Sequence, residues 1–407
     1  MMEKGFRELK NVDEALNIVM KIFGSKNFEK EELKLSEALD RVLAEDIISD
    51  IDIPPFDRAA VDGFALKSYE TFSANPYNPA VFKIKGIIEA GVENEEIEVR
   101  EGECYAIYTG APIPKGADAV VMVEDCDFNE NFVKVKKSVA KFTNISLKGE
   151  DIKKGEIIMR KGQLIRPWHI GVLSSIGRKK VIVYRLPIIG VVSIGDELVD
   201  YEDKLTKGKI IDSTRPMIIS LLREIGCNVI DKGIIRDDYN EILNSLSELS
   251  NNVDMIITIG GTSLGGKDLV PKVIKDIVFH GLAIKPGKPT GFGIFNEKPV
   301  LMLPGYPVSA LVGFECIGMP LLSHWRGKKI ERKKIKAILS RRVPITPGIR
   351  HFLRVSLKKI DNKLIAEPIA LTGSGLLSSI TKADGIIIIK ENIEGLEEGE
   401  EVEVEIL

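Results

Sequence analysis

Between residues 181 and 328 the sequence alternates apolar runs with amphipathic stretches, and most of the apolar runs close on glycine or on an acidic turn. VYRLPIIGVVSIGDEL reads as a strand and TRPMIISLLREIG as an amphipathic helix; CNVIDKGIIRDD and NEILNSLSELSNN repeat the pair. VDMIITIGGTS is a continuous apolar strand, KDLVPKVIKDI reads as the helix after it, and LAIKPGKPTGFGIF and KPVLMLPGYPVSALVGFE complete the series. Unbroken apolar strands alternating with helices predict a mostly parallel sheet covered on both faces. This pattern constrains the chain more than any other, because an open α/β sheet places its ligands beyond the carboxyl ends of its strands. The glycine-rich turns fall there.

The flanking segments have other rhythms. NVDEALNIVMKIFG sets Val12, Ala15, Leu16 and Val19 at helical spacing, with Asn11 or Asp13 near the cap. KLSEALDRVLAEDI predicts a second helix before the Pro54-Pro55 pair stops helical structure. Residues 80–142 are short β-branched or alternating segments separated by Gly, Pro and Asn, the pattern of a small β domain. Pro167 to Ile176 reads as a helix with Pro167 in its first turn, so the β unit looks inserted into a helical one. From 329 onward short strands return, ending in a Glu/Val/Ile alternation with one wet face. The expected class is multidomain α/β plus β: a helical unit (1–50 and 145–180), an inserted β domain (51–144), an α/β domain (181–328) and a C-terminal β domain (329–407).

Composition excludes several functions. Fifty-seven basic against 60 acidic residues leave a net charge of −3, which disfavours a nucleic-acid coat needing a broad basic surface. The basic run 326–336 reads as a solvated linker or strand edge, so no nucleic-acid partner is expected. Cys104, Cys126, Cys227 and Cys316 show no C-x-x-C spacing and read as free buried thiols of a reducing compartment. His169, His280, His324 and His351 have no paired metal-ligand spacing, and no G-x-S-x-G nucleophile is present. The N-terminus lacks a signal-peptide core, and no apolar run reaches the roughly 20 residues that span a bilayer. A cytoplasmic protein with no membrane partner is expected.

Candidate chemistry gathers in turns. In 256–268 an apolar strand runs into Gly260, Gly261, Thr262 and Ser263, then Gly265, Gly266 and Asp268. Exposed N–H groups and a following helix start favour an anion, and a tight strand–helix turn is the plainer reading. Neither the dinucleotide nor the P-loop spacing is matched. Lys285 and Lys288 flank a Pro-Gly turn that can aim both at one phosphate or oxyanion, or leave both solvated. Pro304 and Pro307 fix the start of a helix carrying Ser309, either an anion site or a structural turn. Asp62, Asp151, Asp196, Glu197, Asp212, Asp237, Asp238 and Asp268 all sit at turns. Singly each reads more plainly as a cap or turn residue; Glu197 and Asp268, which follow core strands, are the candidate ligands of a hard cation such as Mg²⁺.

Taken together, PPFDRAAVDGFAL, YTGAPIPKGADAVVMVED, KGEDIKKGE, SIGDEL, IIDST, GIIRDD, GGTSLGGKD, LAIKPGKP, LPGYPVSA and GSGLLSSITKADG resemble, in order and over almost the whole chain, the MoeA family. These are molybdopterin molybdenumtransferases of molybdenum-cofactor synthesis, related to the gephyrin E-domain. The resemblance implies four domains, with an α/β unit related to the molybdopterin adenylyltransferase fold and a barrel-like C-terminal β domain. It implies a homodimer with an active site between the α/β domain of one subunit and the N-terminal domains of the other. The implied substrates are molybdate and adenylylated molybdopterin, with Mg²⁺-dependent release of AMP, and the upstream adenylyltransferase is an implied partner.

By motif, the resemblance assigns Asp62, Thr109 and Asp151 to the N-terminal contribution, and Glu197, Asp237 and Asp268 to the α/β side. Lys285 and Lys288 would neutralise oxyanion and phosphate, Pro304 and Pro307 shape the pocket, and Ser374 contribute from the last domain. Ala59, Val61, Tyr306 and Asp384 depart from the commonest family pattern without removing a charged candidate. Tungstate as the oxyanion, a molybdopterin adenylyltransferase and a non-catalytic gephyrin-like scaffold are the rival readings; GGTS in place of GGTG and the extra domains favour the insertase.

Overall fold

The alternation after residue 181 builds a six-stranded sheet in the computed structural model, which describes residues 8–26, 28–92, 96–262, 269–328, 330–369 and 377–407. The chain forms two units, one of residues 32–183 and a larger one of 1–31 with 184–407. The sheet of the larger unit runs Asn228–Ile235, Ile188–Ile194, Met255–Ile259, Lys298–Leu303, Gly291–Phe295, Asp276–His280. Its first four strands are parallel, with Val191 opposite Ile257 and Ile257 opposite Leu301.

Both faces are covered, as the apolar strands require. One face packs the helices Val12–Phe23 and Thr214–Ile225 and the long helix after Pro307, through Val12, Val19, Leu222, Phe314 and Leu321. The other packs Tyr239–Ser250 through Ile242, Leu246 and Leu249. Caps define the helix ends: Asn11 Oδ1 accepts from the Asp13 and Glu14 N–H groups, Asp238 from Asn240 and Glu241, and Gly226 closes Thr214–Ile225 in the left-handed region.

The sheet is mostly parallel, as expected, and its antiparallel part is a hairpin of Gly291–Phe295 and Lys298–Leu303 around Asn296 and Glu297, whose φ angles of 47° and 62° suit a two-residue turn. One expectation changes here. The helix expected over KDLVPKVIKDI shrinks to Val270–Val273, and Asp276–His280 becomes the edge strand because it pairs with Gly291–Ile294. Pairing with a neighbour overrides the local helical spacing.

After Pro307 the chain is helical to Trp325, with a π turn at Phe314–Gly318. This helix of 19 residues is long and apolar enough to cross a membrane by length and composition, and 67% of its apolar window is buried inside the fold. A Cβ at Gly313 would lie 2.3 Å from Thr290 Oγ1, so only glycine lets the helix lie this close to the hairpin.

The C-terminal strands close a five-stranded ring: Lys334–Leu339, Lys363–Pro368, Arg350–Ile360, Gly385–Ile389, Glu401–Ile406 and back to Lys334–Leu339. Closure leaves no free edge and fills the barrel with Leu339, Leu353, Val355, Ile387, Val402 and Val404. The two-residue strand Ile284–Lys285 adds to the outside, pairing with Arg350 and His351. The expected Glu/Val/Ile alternation is present, and Lys334 and Lys336 of the basic run pair with Glu403 and Glu401.

In the smaller unit a six-stranded sheet spans Gly63–Leu66, Ala80–Ile88, Glu103–Ile107, Ala119–Met122, Cys126–Phe128 and Phe132–Val135. The helix at Pro167–Ser175 forms as expected. The second helix expected over KLSEALDRVLAEDI does not: only a 3-10 turn at Leu35–Glu37 and a short strand at Ile47–Ile48 appear. Leu43 N–H donates to Gln163 O and Ala44 N–H to Ile182 O, so these amides serve partner segments rather than an i→i−4 ladder. Leu39, an apolar residue of that stretch, is exposed. All four cysteines are free and buried.

Candidate active site

Because four strands run parallel, their carboxyl ends meet on one edge of the sheet. That edge carries Gly195–Glu197, Arg236–Asp237, Gly260–Thr262 and Pro304–Tyr306. Gly260 and Gly261 have φ angles of 88° and 64°. A Cβ on Gly260 would stand 2.4 Å from Ile194 O, and one on Gly261 2.9 Å from Val270 Cγ2. Side chains are thus excluded, and backbone is brought to the surface of the edge. A Cβ on Gly261 would also lie 3.7 Å from Asp237 Oδ1, so this carboxylate borders the glycine turn. Asp237 N–H donates to Asp196 Oδ1 at 3.4 Å, and the exposed Glu197 carboxylate folds back over Gly195.

The acidic loop is held from below. Arg215 is 4% exposed and contacts three carboxylates, those of Asp200, Asp212 and Asp231. Asp212 also accepts from the Thr214 and Arg215 N–H groups at 3.2 and 3.1 Å. Asp200 lies in the loop after Glu197, and Asp231 in the strand leading to Asp237.

Pro304 and Tyr306 also border a cavity of about 570 Å³ whose other walls include Lys285, Lys288, Ser309, His351 and Arg354. Among the described residues no Asp or Glu lines it. Ser309 is buried in the first turn of the helix that Pro307 opens. Arg354 is 5% exposed, and among the described residues its Nε has no hydrogen-bond partner and its guanidinium no ion pair. Burial alone pushes its pKa below the usual arginine value. His351 faces Lys285 in strand register; burial first, and then the Lys285 charge, lower its pKa. Lys285 and Lys288 are exposed at the cavity, so the desolvated cation is Arg354, and a buried charge of this kind is costly unless an anion completes it.

Asp62, Thr109 and Asp151 belong to the smaller unit. Thr109 N–H and Oγ1–H both donate to Asp62 Oδ1 at 2.7 Å, the backbone bond first and the hydroxyl second holding this carboxyl below its ordinary pKa. Asp62, Tyr108, Ile87 and Phe128 line a cavity of about 770 Å³. Asp151 is exposed, with its N–H donating to Ile53 O.

Of the sequence candidates in the larger unit, Glu197, Asp237, Gly260, Gly261 and Thr262 share the sheet edge, while Lys285, Lys288, Pro304 and Ser309 share the cavity. Thr262 is buried with its hydroxyl 3.5 Å from Leu303 O, so its side chain anchors the turn. Ser263, Asp268 and Ser374 lie outside the described residues. Among the described residues no three His, Cys, Asp or Glu side chains converge as a metal cage. Sequence reasoning missed His351 and Arg354. Their signal was a cation inside the otherwise apolar run HFLRV, a residue type rarely buried without a reason.

Comparison with known proteins agrees along the whole chain. Residues 10–177 match the MoeA N-terminal region (domain I and II), 190–324 a "Probable molybdopterin binding domain", and 336–407 the MoeA C-terminal region (domain IV). A protein of Methanocaldococcus jannaschii assigned to molybdopterin biosynthesis is 38% identical over 99% of both chains. A molybdopterin molybdenumtransferase of Bacillus subtilis is 33% identical over 97% of this chain and 93% of its own. The crystal structure of a molybdopterin biosynthesis MoeA protein from Pyrococcus horikoshii superposes with a TM-score of 0.83 at 35% identity, covering 98% of this chain and 100% of that one.

Proposed function

The chain belongs to the MoeA family and is an enzyme of the molybdopterin molybdenumtransferase type, and from that premise we propose that it transfers molybdenum from molybdate to adenylylated molybdopterin with Mg²⁺-dependent release of AMP. The observation that carries this reading is the adjacency of two unlike surfaces. A glycine-and-carboxylate edge shares the Pro304–Tyr306 turn with a cavity lined by Lys285, Lys288, His351 and Arg354 and, among the described residues, by no carboxylate.

Molybdate, as substrate, fits the cationic cavity: a tetrahedral dianion would supply counter-charge to Arg354 with Lys285 and Lys288 beside it, and the Ser309 hydroxyl adds a donor. The adenylate phosphate fits the edge, where Gly260 and Gly261 let backbone N–H groups approach an oxyanion without a side chain between. The edge also suits Mg²⁺. Two hard carboxylates, Glu197 and Asp237, fit an ion that takes one or two carboxylates and completes its shell with water and phosphate oxygens, and Asp268 is a further proposed ligand. Bound there, Mg²⁺ would neutralise phosphate charge and polarise the bond to be hydrolysed. Arg215 keeps the Glu197 loop and the Asp237 strand together, so the carboxylates are oriented before substrate arrives. Asp62, Thr109, Asp151 and Ser374 are proposed to complete the site, the N-terminal group from the second subunit of a homodimer. Tungstate shares molybdate's shape and charge and would enter the same cavity.

Incubating the purified protein with adenylylated molybdopterin, Mg²⁺ and molybdate should release AMP and form cofactor. Glu197→Ala should abolish both while the fold is retained. Intact substrate and no AMP from the parent protein would overturn the proposal.

A further inference from the structure

The cationic cavity contains one group whose charge is not fixed. Lysine and arginine stay protonated through the physiological range as classes, whereas imidazole titrates within it. His351 is 9% exposed, and its Nε2 has no hydrogen-bond partner. The ring hydrogen-bonds the backbone of Thr346. Lys285 faces it from the paired strand, Lys288 and Tyr306 line the same cavity, and Arg354 lies on its own strand. Among the described residues no carboxylate lines the cavity.

We propose that His351 is a proton-coupled oxyanion ligand, so that the cavity takes up a tetrahedral dianion together with one proton, which resides on Nε2 and is donated to an anion oxygen. The inference rests on the oxyanion role proposed for this cavity and adds the specificity device within it. With the ring's other nitrogen engaged by the Thr346 backbone, a neutral imidazole offers Nε2 as a lone pair. That lone pair repels an incoming oxyanion. Without the anion, burial and then Lys285 disfavour the protonated ring. A dianion in the cavity reverses the local field, raises the affinity of Nε2 for a proton and converts a repulsive contact into a charge-assisted hydrogen bond. Binding therefore consumes a proton. By linkage, affinity rises as pH falls between the free and bound titration ranges of His351, by up to about tenfold per pH unit. The device favours a full dianion over a monoanion, whose weaker field draws in the proton less strongly.

The test uses molybdate alone with the full chain. Calorimetric titrations at about pH 6 and about pH 8, in two buffers of different ionisation enthalpy, give affinity and proton uptake together. The parent should bind more tightly at the lower pH and take up a proton. His351→Gln should bind with an affinity close to the parent's high-pH value, independent of pH and without proton uptake. Arg354→Gln should bind more weakly at every pH yet keep the uptake. In the parent chain, the imidazole resonance of His351 should titrate at higher pH once molybdate is added, a readout that needs no variant. Equal pH dependence in the parent and His351→Gln, or an unmoved imidazole titration, overturns this inference and leaves the oxyanion cavity standing. No molybdate binding by the parent at any pH removes the oxyanion reading and this inference together.

Discussion

Arg215 and Arg354 are buried to the same degree, 4% and 5% exposed, yet their charges are settled in opposite ways. Arg215 is ringed by Asp200, Asp212 and Asp231, whereas among the described residues Arg354 has no ion pair. The first arrangement neutralises a cation within the fold and converts it into a strut joining a loop, a helix start and a strand. The second leaves a desolvated cation beside a cavity, a state that costs stability unless a ligand supplies the counter-charge. Burial alone therefore does not separate scaffold from site in this molecule; the company a buried charge keeps does.

The sharpest way to break that contrast is to remove each arginine in turn. Arg215→Ala strands buried Asp212 among like charges and should lower unfolding free energy by about 3–5 kcal/mol in denaturant titrations. Arg354→Met should leave stability within about 1 kcal/mol of the parent or above it, and should weaken molybdate binding by roughly 10- to 100-fold, the worth of a charged hydrogen bond of about 1.5–3 kcal/mol. Equal destabilisation by the two would erase the distinction.

Asp254 offers a second paired charge against which to test it. Burial pushes its pKa up, but bonds from Arg185, Lys26 and the Ile188 N–H outweigh that and hold it down at about 2. A depressed folded-state pKa gives stability that is present above the unfolded value near 4 and is lost as pH falls toward about 2. Asp254→Asn should therefore be less stable than the parent by about 2 kcal/mol at neutral pH, with the difference shrinking at about pH 2, as read by thermal unfolding across pH. The smallest effect concerns a cap: Asp238→Ala, which removes the acceptor of Asn240 and Glu241, should cost about 1 kcal/mol and leave molybdate binding by the cationic cavity unchanged.

The sheet was legible because apolar runs such as MIITI can be buried only between two layers. Glu197, Asp237 and the Gly260-Gly261 turn were legible as strand-terminal features, since parallel strands must deliver their ends to one edge. What local reading missed depended on distant partners. Residues 35–48 have helical spacing, but Leu43 and Ala44 give their amides to Gln163 and Ile182. Asp276 and Ile277 lie in the segment that reads as helix, yet they pair with the 291–295 strand. His351 and Arg354 sit about 65 residues from the lysine turn, and no spacing rule links them. Only the pairing of Lys285 with His351 brings them into one cavity.

That pairing has a mechanical consequence. Ile284–Lys285 is an outrigger of the α/β domain fastened to the barrel by backbone hydrogen bonds, and the cavity lies at the seam. The barrel cannot swing away from the α/β sheet without separating Lys285 from His351 and opening the charged wall. On the proposed oxyanion reading, docking of the barrel and capture of the anion would be one equilibrium seen from two ends, and an anion bound in the seam would act as a bolt holding the two domains together.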